Sequence, residues 1–162
     1  MDSVDYVTTL RYYMASDSKL QAIFGLTEEE LLGRMYFQDT GFTNAQASGS
    51  QTVKYPCISI LEEEESPPNG IPTSSVTLYI IVHNSIRNDN VVEVLLKIKD
   101  RLRLLFRDKH EDINSKSRSL NPPLNLKVRN SQWVSGVHYQ DKELGTERLH
   151  KIINTLQMIV GD

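Results

Sequence analysis

The stretch SVTLYIIVHNSIRNDNVVEVLLKIKDRLRLLF, residues 75–106, changes its hydrophobic period halfway along, and that change decides the fold class. Over 75–83, Val76, Leu78, Ile80 and Val82 alternate with Thr77, Tyr79, Ile81 and His83, and a period of two places the two sets on opposite faces of a β-strand. From Val91 onward, Val92, Leu95, Ile98, Leu102, Leu105 and Phe106 recur at helical spacing and form one wide apolar face. Asn88, Asp89 or Asn90 can cap this helix, which is expected to run to about Arg107. Glu93 and Lys97 stand at the favourable i, i+4 spacing on its exposed side. An apolar strand followed by a one-faced long helix predicts a sheet with helices laid on it.

Upstream, residues 57–65, CISILEEEE, begin as a strand with Ile58 and Ile60 on one face, then turn acidic before Pro67, Pro68, Asn69 and Gly70 force a bend. This strand should pair with 75–83 as a hairpin whose tip projects. Val4, Val7, Leu10 and Met14 give 3–15 the pattern of an amphipathic first helix, expected to pack on the sheet. Asp17 reads as the cap of a short turn carrying Leu20, Ile23 and Phe24 that Gly25 ends, and Thr27 with Glu30 has capping-box spacing for 28–32. Between them and the first strand, 38–54 holds only Phe42 and Val53 as sizeable apolar residues, so it reads as a polar loop or arm.

Downstream, 108–125 reads as a second polar loop ending in Asn121-Pro122-Pro123, and Leu126 to Val134 as a strand with a turn near Gly136 and a connection around Asp141 to Gly145. Residues 146–160 fit either a helix or a strand broken at Asn154; their β-branched content favours the strand. The expectation is one α+β domain over 1–162. It has a mostly antiparallel sheet of four to five strands, in the order α-β-β-α-β-β, with the N-terminal and long middle helices on one face.

A chain of 162 residues suits a single core. A net charge of −3 argues against a general nucleic-acid binder, whose affinity comes from cations releasing counterions from phosphates. No apolar run reaches the length of a membrane span, and the opening MDSVDYVTT has no secretory pattern, so the chain is expected to stay where it is made. The only cysteine, Cys57, reads as a buried thiol. His83, His110, His138 and His150 fall in different expected elements without metal-ligand spacing. With no phosphate loop or nucleophile elbow either, no catalytic, cofactor or metal site is expected.

The remaining signals are surfaces. Glu62, Glu63, Glu64 and Glu65 are most simply a solvated strand end, alternatively an acidic surface that repels DNA in a channel or meets a basic neighbour. Lys97, Lys99, Arg101, Arg103, Arg107 and Lys109 complement the dipole of the long helix, and Lys97, Arg101 and Arg103 are candidates for a subunit contact with that acidic bend. Trp133 is a candidate core-edge or interface anchor. Tyr79 and His83 on one strand face leave open an α+β nucleic-acid module that stacks bases. An enzyme pairing the glutamates with His138 or His150 is the weakest reading.

In the order of its elements the chain resembles the tail-completion or tail-terminator proteins of long-tailed bacteriophages. The resemblance is carried by DSKLQAIFG at 17–25, YPCISI at 55–60, SVTLYIIVHNS at 75–85 before the helix, and the closing turn leading into GTERLHKIINTLQMIV. It implies a structural virion protein that forms a ring, hexameric in this family, on the last ring of the tail tube. The ring stops tube polymerisation and joins the tail to the head connector, while genomic DNA passes its lumen without specific binding. Longer polar segments at 38–54 and 108–125 depart from the family's usual look and keep a head-completion adaptor open as the alternative.

Overall fold

A computed structural model describes residues 3–37, 53–62, 74–141 and 149–161. Three helices come first: α1, Ser3–Ala15; α2, Ser18–Phe24; and α3, Glu28–Leu32. Side chains fix their ends as the spacing predicted. The Asp17 carboxylate accepts from Leu20 N–H at 2.8 Å, Gly25 closes α2 in the left-handed region at φ 68°, and Thr27 and Glu30 exchange the two hydrogen bonds of a capping box. These partners satisfy N–H and C=O groups that helix ends leave open.

Among the described residues six strands form one sheet: β1, Met35–Tyr36; β2, Cys57–Glu62; β3, Ser74–Ser85; β4, Val128–Val134; β5, His138–Asp141; and β6, Leu149–Val160. Their order is β1-β2-β3-β6-β4, and β5 pairs with β6 further along the edge that β4 occupies. Every pairing is antiparallel except β1 with β2. The hairpin forms as expected, from Cys57 opposite His83 to Glu62 opposite Leu78. Two helices, α4 at Val91–Phe106 and α5 at His110–Ser119, complete an α+β fold.

The core lies on one face of the sheet. Ile58, Ile60, Val76, Leu78, Ile80, Val82, Ile152, Leu156 and Met158 meet Leu95, Ile98, Leu102 and Phe106 of α4 in one apolar cluster that also takes in Tyr6, Val7, Leu10 and Met14 of α1. Burying each such side chain contributes about 1.5–3 kcal/mol. Val4, expected on the inner face of α1, is 61% exposed, and Tyr6 takes the place at the core instead. The helix lies mainly along α5 and α3 and reaches the sheet near Ile60.

Three expectations are corrected. The supposed loop at 108–125 contains α5, which the pattern hid because only Ile113 among its ten residues is a large aliphatic. Its buried polar groups are bound to the approach of β4: Asn114 donates to Val128 O and accepts from Val128 N–H, each at 2.8 Å, and Ser117 Oγ accepts from Leu126 N–H. The turn near Gly136 is a short interruption between β4 and β5 on one edge. Asn154 does not break β6. Fully buried, it donates to Ile80 O at 3.0 Å and accepts from Gly136 N–H at 3.2 Å, so it ties β3 and the β4–β5 junction to β6 instead of ending a strand. Of the three candidate caps Asn90 holds the N-cap position of α4, at φ 53° and without a side-chain hydrogen bond there, while Asn84 and Asn88 donate to Val91 O and Tyr55 O.

Asp17 also receives two hydrogen bonds from Arg101, at 2.8 and 2.6 Å, tying α2 to α4. Burial pushes its carboxyl up, but the bonds from Arg101 and Leu20 N–H outweigh this and leave it below its ordinary value of 3.8. Asp17→Ala is expected to cost about 2–3 kcal/mol in urea unfolding, about 1 from the lost cap and the rest from the stranded guanidinium. The unfolded chain takes up this proton first, so the contribution is intact above pH 3.8 and is lost as the pH falls through the lower folded-state value. An unfolding midpoint in the variant equal to wild type at neutral pH would contradict this role.

Candidate functional site

Of the residues expected at a subunit contact, Glu62, Lys97 and Arg103 lie at the surface, and Lys97 pairs with Glu93 at 3.0 Å. Glu63, Glu64 and Glu65 lie outside the described residues, as do most of the 38–54 arm and of the 65–74 hairpin tip. Arg101 and Trp133 point inward. Arg101 is committed to Asp17, and Trp133, 8% exposed, stacks on Phe106 with centroids 5.5 Å apart and donates to Ser135 Oγ at 2.8 Å.

What the fold does offer is a different pair of surfaces at the two edges of the sheet. At the β1–β2 edge, Val4 and Val7 of α1, Phe37 just after β1, and Ile60 and Glu62 of β2 line a mainly apolar groove of about 360 Å³. One face of the Phe37 ring carries the Arg11 guanidinium, 4.8 Å from the ring centre, and Arg11 also donates to Leu32 O. At the opposite edge, strand alternation turns Trp133 toward the helices and Val134 to the far face of the sheet. Val134 is 64% exposed and Val137, after the interruption at Gly136, is 79% exposed.

The polar groups weighed for chemistry are dispersed. Glu62 sits on β2 and His138 on β5, three strand spacings or about 14 Å apart across the sheet. His83 is fully buried opposite Cys57 and Lys151, which are themselves buried, so it presents no ring to a nucleobase. Among the described residues no group of three or more His, Cys, Asp or Glu side chains is arranged to hold a metal ion.

One cluster was not legible in the spacing. His138 and His150, twelve positions apart, are diagonal neighbours on the paired strands β5 and β6, with His138 Nε2 and His150 Nδ1 2.7 Å apart. The ring planes are within 5° of parallel and the centroids are 4.9 Å apart. Face-to-face rings cannot bring two nitrogens within 2.7 Å, because ring thickness alone demands about 3.5 Å. The rings therefore lie edge to edge in nearly one plane, and 2.7 Å plus the two ring radii accounts for the centroid distance. The signal existed only in the register of a hairpin that the sequence pattern did not define.

No family model matches the chain, and no curated protein matches it.

Proposed function

We propose that the chain is a structural subunit of a long-tailed phage virion, joining copies of itself into a closed ring at the end of the tail tube. The supporting observation is the pair of unlike surfaces on opposite edges of the sheet, a groove at one and two prominent valines at the other. A closed ring requires a heterologous contact, in which one patch of each subunit fits a different patch of the next. In this reading Val134 and Val137 enter the neighbour's groove between Val4, Phe37 and Ile60, with Glu62 at its rim. The surface cation Arg103 is left for an acidic partner, while Lys97 is paired with Glu93.

The family likeness supplies the number six and the place of work. The 38–54 arm and the 65–74 tip are assigned to contacts with the tail tube protein on one side and the head connector on the other. The ring acts by occupying the growing end of the tube, so no catalytic group is needed, and its net charge of −3 suits a lumen that lets DNA slide. The test is to add the purified chain to polymerising tail tube protein. Tubes should shorten as the dose rises. A length distribution that ignores the chain overturns the capping role, and binding to the connector without shortening moves the protein to the head side of the joint.

A further inference from the structure

The His138–His150 pair serves no part of the ring reading, and its geometry is that of a site. Edge-to-edge imidazoles with nitrogens 2.7 Å apart turn His138 Nε2 and His150 Nδ1 directly toward one another, a spacing at which the two share one proton as donor and acceptor. Neither ring is buried: both are partly exposed, His138 on the edge strand β5 and His150 on β6, which β3 and β5 flank.

We infer that His138 Nε2 and His150 Nδ1 together bind one divalent transition-metal ion of the zinc class, in place of the proton they share. Zinc–nitrogen distances of about 2.0–2.1 Å in a tetrahedral arrangement require the two nitrogens to open to about 3.3 Å. That is an opening of roughly half an ångström together with a turn of each ring by about 35°, so that both lone pairs meet the ion off the N···N line, and two partly exposed side chains reach it by rotation about their side-chain torsions. Water completes the coordination sphere. No net proton need leave: the imidazole that now donates moves its proton to its other ring nitrogen, freeing the inner lone pair for the ion. Both ligands stand on paired strands, so the bound ion is a staple between β5 and β6.

The test uses the full chain, stripped with a chelator and titrated with Zn²⁺ alone by calorimetry near neutral pH. Wild type should take up one equivalent saturably. His138→Gln and His150→Gln should each lose that binding, and His110→Gln, on α5, should retain it. To guard against variants that fail to fold, imidazole nitrogen spectra of the wild-type chain should show His138 Nε2 and His150 Nδ1 shifting together on zinc addition. Absence of saturable uptake by wild type, binding that survives both substitutions, or shifts confined to other histidines overturns the site. None of these outcomes bears on ring formation.

Discussion

Gly136→Ala is expected to destabilise the fold by about 3 kcal/mol or more, at the upper end of what overpacking costs. A Cβ placed on Gly136 would stand 1.8 Å from the carbonyl oxygen of Ile153 and 2.8 Å from its carbon. Both atoms belong to the backbone of β6, so they cannot swing aside as a side chain would. Moving Gly136 away instead breaks its N–H bond to Asn154 Oδ1, and Asn154 is the residue that also holds Ile80 O inside the sheet. An orphaned buried amide adds its own penalty. Gly161→Ala is the control. The nearest atoms its Cβ would meet belong to the Arg129 guanidinium, at 2.5 Å and beyond, the far end of a flexible side chain. Urea unfolding of the two variants should therefore differ by most of the Gly136 effect, and equal midpoints would remove Gly136 from its role at the β4–β5 junction.

The second large effect concerns association. Val134→Asp combined with Val137→Asp should leave the subunit folded, because both side chains are mostly exposed, and should abolish the ring. Placing a carboxylate against an apolar groove leaves a charge without a partner, and central contacts of this kind cost about 2 kcal/mol or more each. Phe37→Asp should act in the same way from the groove side. In the proposed ring the contact is heterologous, so the two defects should be complementary: the edge-defective chain keeps its groove and the groove-defective chain keeps its edge. Mixing them should give a pair of subunits and no closed ring. A mixture that stays monomeric, or variants that assemble like wild type, would place the contact elsewhere.

Most of the fold was readable because its periods are strong. β3 and α4 declare themselves by alternation and by helical spacing, and Asp17, Gly25 and the Thr27–Glu30 box are local chemistry that needs no tertiary context. What escaped depends on distant partners. The helix α5 buries Asn114 and Ser117, whose hydrogen bonds are to residues around Leu126 and Val128, so its inward face looks polar in sequence. Asn154 reads as a strand breaker until Ile80 and Gly136 are brought to either side of it.

The candidate surface was less legible than the fold for the same reason. Charge runs mark exposed positions, yet the inward turn of Arg101 toward Asp17 and of Trp133 onto Phe106 is fixed by neighbours 84 residues away in the first case and by packing in the second. Val134 and Val137 carry no charge to draw notice, and their prominence follows from which edge of the sheet β4 and β5 occupy.

The central claim, a chain that grips copies of itself in a closed ring, is tested most directly by weighing the native assembly by mass spectrometry, free and on tail tube ends. Six subunits in one closed species is the result this account predicts. A chain that remains a monomer at every concentration, and still binds singly when tubes are supplied, would contradict it.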